Sequence, residues 1–316
     1  MARIVLRRLC AAAATLVITS ILVWAMLMLA PGDPAEGVLR ARGVLEPDPN
    51  QVAAMRAELG LDDPPALRYW NWLVAWMHGD FGISWKSGRP VVEEIAKRLP
   101  ATGLLTGVSI VLAVVLSAVL GIAAASAHRR LADTLVRVVT LAMVIVPSFL
   151  FGLLVLNVLV LRLKWGVVVS DGTWRTVGWP AMTLACGSAG YWARVLRAAM
   201  LEARSAPYMQ ICRARGASSA RQLLVHGLPN ALPPWVTVVA MGAAGLLGGA
   251  PIVEAVFTWP GIGAYTVQAI NAGDAPVVVC YTMLAVTTFV VVSVLTDIAL
   301  TLLDPRLRKA PGGVVA

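Results

Sequence analysis

The chain has 316 residues, 59% hydrophobic and 14% charged, and its mean hydropathy is +0.77. Soluble domains are about half apolar and about a quarter charged, so this composition excludes a disordered chain and argues against a soluble globular enzyme. The formal charge of +9, from 26 Lys+Arg against 17 Asp+Glu, is not by itself a sign of nucleic acid. In a membrane protein, basic residues hold loops on the cytoplasmic side. The four cysteines, Cys10, Cys186, Cys212 and Cys280, are far apart and form no CxxC, so neither a disulfide framework nor a zinc site is expected. His78, His128 and His226 are too few and too scattered for a histidine-built metal centre.

A bilayer core takes about 20 apolar residues per helix. The first such run is Leu9–Ala30, preceded by Arg3, Arg7 and Arg8. It is longer than the apolar part of a signal peptide and more spans follow, so it reads as a retained helix. A polar stretch over 31–100 comes next, with eight Lys/Arg and ten Asp/Glu. Within it, Gln51–Leu59 and Pro65–Met77 read as short helices. Tyr69, Trp70, Trp72, Trp76 and Trp85 suit either a membrane–water interface or a small packed core. Further spans are expected at Ala101–Ala125, Thr134–Leu161, Trp179–Met200, Ala231–Val256 and Pro276–Leu302. Pro147 should kink the third. The sequence therefore predicts an all-α integral membrane fold of six helices with a long, structured first outer loop.

With the N-terminus inside, the cytoplasmic side receives 15 of the Lys/Arg and the two short outer loops receive Arg162, Lys164 and Arg175. That asymmetry places both termini in the cytoplasm. The division expected is a cytoplasmic tail and first helix over 1–30, an extracytoplasmic loop over 31–100, a five-helix core over 101–303 and a cytoplasmic tail over 304–316. The core contains a basic cytoplasmic loop over 201–230. In that loop Gly216 suits a helix C′ position, and Ser218 or Ser219 suits the N-cap of a second short helix. Two short helices at a cytoplasmic turn offer another protein a rigid knob.

The spacing of this loop is distinctive. Gly216, nine residues, then His226-Gly227-Leu228-Pro229 resembles the EAA loop of bacterial ABC-importer permeases. The Glu-Ala-Ala part is degenerate, with Gln210, Ile211 and Cys212 in those places. Cys212-Arg213-Ala214-Arg215-Gly216 is similar to the ARAKG-like run of the peptide and nickel branch. Six other runs match the branch in order: Ala30-Pro31-Gly32-Asp33-Pro34; Leu59-Gly60-Leu61-Asp62 with Gly79-Asp80-Phe81-Gly82-Ile83-Ser84; Arg98-Leu99-Pro100-Ala101-Thr102; Val146-Pro147-Ser148-Phe149; Glu254-Ala255-Val256-Phe257 with Trp259-Pro260-Gly261-Ile262-Gly263; and Leu303-Asp304-Pro305-Arg306-Leu307-Arg308. The chain is thus identified as a member of the dipeptide/oligopeptide/nickel permease family, the inner-membrane component of binding-protein-dependent transport.

The resemblance implies a multi-pass permease of the bacterial inner membrane. It implies two ATP-binding cassette subunits that use ATP and Mg, a second related permease forming a heterodimer, and an extracytoplasmic binding protein that delivers di/oligopeptides or nickel, free or chelated. No nucleic acid is implied, and no cofactor is expected on this chain. It also implies that the EAA loop is the coupling helix. ATPase coupling then falls to Tyr208, Gln210, Ile211, Cys212, Arg213, Ala214, Arg215 and Gly216, with Leu228 and Pro229 closing the loop and Arg213 and Arg215 facing carboxylates on the ATPase. Independently of the resemblance, none of Lys86, Lys97, Lys164 and Lys309 follows a glycine. A phosphate-binding GxxxxGK[ST] loop is therefore absent from the sequence, and energy must come from another polypeptide. No catalytic or metal-binding residue is expected.

Within the spans, Gly242, Gly245, Gly248 and Gly249 either let helices approach closely or line a path. Glu254 and Asp297 are intramembrane acids, each a candidate for contact with cargo or for structural pairing. An ATP-independent secondary transporter or channel is the alternative. It would need inverted repeats or broken helices around a midplane site, and the sequence shows no clear internal repeat.

Overall fold

The computed structural model describes residues 2–29 and 33–303. They form α1 (Ala2–Leu29), α2 (Pro34–Ala41), α3 (Pro49–Glu58), α4 (Pro65–Met77), α5 (Val91–Ser126), α6 (Leu131–Ile145), α7 (Ser148–Val155), α8 (Gly178–Ser205), α9 (Pro207–Ala214), α10 (Ser219–Arg221), α11 (Leu228–Val256), α12 (Ile262–Ala272) and α13 (Ala275–Leu303). Two π-helical stretches, Leu156–Arg162 and Gln222–Gly227, extend α7 and join α10 to α11. Among the described residues there is no strand, only an isolated bridge between Ile83 and Pro90. The Asp304–Arg308 run, the tail over 304–316 and Ala30, Pro31 and Gly32 lie outside the described residues.

Among the described residues, four helical runs are long and apolar enough to cross a membrane: Leu6–Met26, Val91–Ser126, Ser219–Val256 and Ala275–Thr296. The pair Leu131–Ile145 and Ser148–Arg162, bent by 105°, makes a fifth if taken as one span. The expected kink at Pro147 is thus a full break. Proline disfavours helical backbone in the residue before it, and Val146 is extended at ψ 120°. The helix expected at Trp179–Met200 exists as α8, 28 residues long, yet it is not apolar enough to count. Its wall is built of small residues, its second half carries Arg194, Arg197, Glu202 and Arg204, and much of it is covered by protein.

The chain folds as two compact units, residues 1–102 with 260–291 and residues 103–259 with 292–316. In the first unit, the outer segment is held by buried contacts. Asp33 caps α2 by accepting from Ala35 N–H at 2.9 Å, and it accepts from Arg56 Nη1 of α3 at 2.7 Å. Ala35, Val38, Leu39 and Met55 close a small core between α2 and α3. Burial alone would raise the Asp33 pKa, but the Ala35 amide and the Arg56 guanidinium outweigh it and hold the carboxyl below its usual range. Neither α2 nor α12 is evident from hydropathy, because both are short.

The tryptophan cluster rests on α1 and α13. Tyr69 Oη and Ser20 Oγ are hydrogen-bonded at 2.8 Å. Trp24 stacks with Trp72 at 5.7 Å, and Arg68 sits 5.6 Å above the Trp24 ring. Trp72 and Trp76 pack on Val23, Val279 and Met283, while Trp70 is 59% exposed. Most of these rings are therefore packing groups for α4.

A second anchor joins the Gly79–Ser84 run to the α12–α13 turn. Gly82 N–H donates to Asp80 Oδ1 at 2.9 Å, and both Gly79 and Gly82 are at positive φ. This aims Ser84 at Asp274. Ser84 Oγ donates to Asp274 Oδ2, Trp85 N–H donates to Oδ1 at 3.0 Å and Lys86 N–H donates to Oδ2 at 3.4 Å. Ser84 and Asp274 are both buried. Beside this knot, Val91 and Ile95 pack with Ile262, Ala269, Val277 and Cys280. α5 begins at Val91, well before the expected Ala101, because Val91 and Ile95 are already core residues on its first turns.

In the second unit α8 is the hub. Ala181, Ala185, Ala189, Trp192, Ala193, Leu196 and Met200 are all buried on it, and α6, α7 and α11 pack around it. Glycines set the spacing. A Cβ on Gly121 of α5 would lie 2.9 Å from Ala193 O, and one on Gly190 of α8 would lie 2.7 Å from Thr140 O of α6.

Candidate functional site

The most distinctive surface of the second unit is the short helix α9 after α8. Ala206 is extended (ψ 148°) and Pro207 starts the new helix, where its missing N–H costs nothing. Met209 is 1% exposed and seats α9 against the α8 end and the π stretch. Tyr208 is 37% exposed and Ile211 58%; Gln210, Arg213, Ala214 and Arg215 are exposed and Cys212 is half-buried. An eight-residue helix held by one buried methionine thus displays an aromatic, a β-branched and an arginine side chain at the surface of this unit.

The C-terminal end of α9 is closed as the sequence predicts. Gly216 takes φ +76°. Its N–H donates to Arg213 O at 2.9 Å, and Ala217 N–H donates to Cys212 O at 3.1 Å. These two bonds define a Schellman turn. A Cβ on Gly216 would meet nothing within 4 Å, so the requirement there is the left-handed backbone and not space. Ser218, not Ser219, is the N-cap, accepting from Arg221 N–H at 3.3 Å.

Two expectations are corrected here. There is no separate second helix ended by Leu228 and Pro229. Helix runs from Ser219 through the π stretch into α11, so Leu228 and Pro229 lie inside it. Pro229 has no N–H to continue the α pattern, and the turn before it widens, with Leu228 N–H donating to Leu223 O. Arg213 does not project freely outward. It donates Nη2 to Arg204 O at 3.2 Å and Nε to Gln222 Oε1 at 3.4 Å, while Gln222 Nε2 donates to Ala217 O at 2.6 Å. Arg213 and Gln222 thus lash α9 to the end of α8 and the start of the following helix. Hydropathy gives no signal for Gln222, a polar residue beyond α9, or for the anchoring role of Met209, since Tyr208, Met209 and Ile211 are all apolar and only Met209 is buried.

The glycines of α11 separate into two sets. A Cβ on Gly242 would lie 2.7 Å from Trp192 Nε1, and one on Gly249 would lie 3.2 Å from Leu184 Cδ1. These two, seven residues apart on one face, are filled by α8 side chains and line no open path. Gly245 and Gly248 have nothing within 4 Å of a Cβ and are exposed, so they remain available to a partner or a path. Glu254 is 0% exposed, at the end of α11 where Trp259 N–H donates to Glu254 O at 2.8 Å. Phe257 and Trp259 beside it are also buried, so cargo cannot reach the Glu254 side chain in this conformation. Asp297 falls on α13, and its side chain lies outside the described residues.

Comparison with known sequences defines the class. Residues 117–309 match the family described as binding-protein-dependent transport system inner membrane component, and residues 1–106 match its N-terminal companion. The chain belongs to this family: it is an inner-membrane permease of a bacterial ABC importer of the peptide/nickel type, a multi-pass protein and a subunit of a transport system. The particular relatives it matches include the glutathione transport system permease proteins GsiC of Salmonella typhimurium strain LT2 and of Escherichia coli K12. Each is 34% identical over 304 residues, covering 96% of this chain and 98% of the relative. Membership in a binding-protein-dependent system implies a substrate-binding protein and ATPase subunits as partners.

Proposed function

We propose that this chain crosses the membrane six times with both termini in the cytoplasm, that it forms half of the translocation path beside a second, related permease, and that α9 is the coupling helix. Six spans follow if α8 is counted with the four apolar helices and the bent pair. α8 is long enough to cross, and its covered faces relieve it of the need to be apolar. The alternation then puts α9 on the same side as the N-terminus, where the charge asymmetry also puts it. ATP and Mg are used by the ATPase subunits. This chain passes their closure on to the helices, which rock between inward- and outward-facing states.

The observation that carries the reading is the geometry of α9, a short helix with a closed C-terminal turn and an outward face of Tyr208, Ile211 and Arg215. Arg215 meets the carboxylates of the ATPase, while Arg213 holds the helix in place. For the cargo, glutathione in the names of the relatives favours a small peptide over nickel, since glutathione is itself a tripeptide. A chelated nickel cargo would require no histidine or cysteine on this chain, so their scarcity does not discriminate.

The test is Gly216→Asp. It strains the left-handed turn and adds a negative charge beside the docking face. Uptake is expected to be lost while the protein still reaches the membrane; normal uptake by this variant would remove α9 from the coupling role.

A further inference from the structure

Asp133 lies on the first turn of α6 and is 3% exposed, where an unpaired carboxylate would be costly. It is fully engaged. Arg197 of α8 donates Nε to Oδ1 at 2.7 Å and Nη2 to Oδ2 at 2.8 Å. The backbone N–H of Arg129 donates to Oδ2 at 3.2 Å, and His128 Nδ1 lies 3.5 Å from the same oxygen. Arg129 accepts a left-handed φ of +64° in delivering that N–H. An apolar pair would hold two helices together equally well. A two-pronged guanidinium–carboxylate contact does something more: it fixes their register and resists sliding along the helix axes.

The two ends of this contact lead to different places. Along α8, the chain passes from Arg197 to Ser205 and, through Ala206 alone, into α9, which Arg213 ties back to Arg204 O. Along α6, close backbone contact at Gly190 continues to the break at Val146–Pro147. Beside that break and against α8 is an open cleft of about 350 Å³, lined by Val139, Met143, Val146, Ser148, Thr183 and Cys186 among others. A rigid bar, a hinge and free space thus follow one another.

We infer that Asp133 and Arg197 are positioning residues that make α6, α8 and α9 one rigid body, so that force on α9 is delivered to the Val146–Pro147 break, where the cleft gives α7 room to swing. This rests on the reading of α9 as the ATPase-docking helix.

The test uses the complete transporter in liposomes, with spin labels on two pairs of exposed positions, Leu135 with Ser205 and Leu154 with Ser205. Distances are read before and after trapping with ATP and vanadate. In the otherwise unsubstituted chain the first distance stays fixed and the second changes. Asp133→Asn makes the first distance broaden on trapping, and the stimulation of ATP hydrolysis by the cognate binding protein falls about tenfold. The swap Asp133→Arg with Arg197→Asp recovers both. If Asp133→Asn fails to reach the membrane, Arg197→Lys carries the test, since it keeps the charge and loses the fork. A first distance that changes without substitution overturns the inference, as does an Asp133→Asn protein with unchanged distances and stimulation. If neither distance changes on trapping and Gly216→Asp leaves uptake intact, the docking reading itself has failed and the strut falls with it. With docking intact, only the strut is at fault.

Discussion

The Ser84–Asp274 knot and the α9 turn are both short segments folded around glycines at positive φ, and they are finished to different degrees. At the knot every oxygen of the Asp274 carboxylate is matched by a donor, and Ser84 and Asp274 are buried. At α9 only Met209 is buried on the helix, the backbone is closed by two turn bonds, and Tyr208, Ile211 and Arg215 face outward. A completed polar network marks architecture. A rigid backbone under an exposed apolar and basic face is what the proposed coupling role of α9 requires.

Substitutions should therefore separate the two regions by kind of failure. The largest effect on uptake is expected from Gly216→Asp, which should abolish transport with normal membrane abundance. Uptake assays beside a membrane blot check it. The largest effect on stability is expected from Asp274→Ala, which leaves the buried Ser84 hydroxyl, and the part-buried N–H groups of Trp85 and Lys86, without their acceptor. At about 1–3 kcal/mol for a buried unsatisfied group, the protein should be lost from the membrane or melt earlier in detergent. A normal melting temperature would show that the knot is dispensable. Gly242→Ala should cost about 1–3 kcal/mol through overpacking against Trp192, while Gly245→Ala should cost nothing, which a thermal-shift comparison of the pair resolves.

Smaller effects come from exposed charges. Arg215→Ala should weaken ATPase binding about fivefold, equivalent to about 1 kcal/mol, without loss of stability. Arg213→Ala should instead loosen α9, visible as faster hydrogen exchange over residues 207–216. The smallest effect concerns pH. The Asp33 pKa is lowered on folding, so its stabilisation is fully present above its unfolded value, about 3.9, and is lost as pH falls through the lower folded value. Asp33→Asn should lower stability slightly at neutral pH, by less than about 1 kcal/mol, and flatten the acid limb of a melting-temperature profile, so that the two proteins converge at low pH.

Much of the fold is legible in the sequence, because apolar length and local backbone chemistry are local properties. The span end at Val256, the helix Pro65–Met77 and the left-handed Gly216 follow from hydropathy, proline and glycine alone. What is not legible depends on partners distant in sequence. Gly242 and Gly245 are indistinguishable until Trp192 is placed against one of them. Glu254 reads as an intramembrane acid open to either cargo contact or structural pairing until it is seen fully buried, as Phe257 and Trp259 are. Arg213 reads as a docking charge until Arg204 O and Gln222 are brought to it. Asp133 and Arg197 lie at opposite ends of a long stretch of chain, and no spacing rule joins them. Pro147 is visible as a disturbance, but the 105° break emerges only once Val146 is seen in extended backbone.

The most direct test is site-specific crosslinking from α9. A photoreactive amino acid at Ile211, in the assembled transporter, should join this chain to an ATPase subunit, and the product should vanish in the Gly216→Asp background. A crosslink to lipid or to another permease alone, with the ATPases present and active, would contradict the assignment of α9 as the surface through which ATP hydrolysis drives transport.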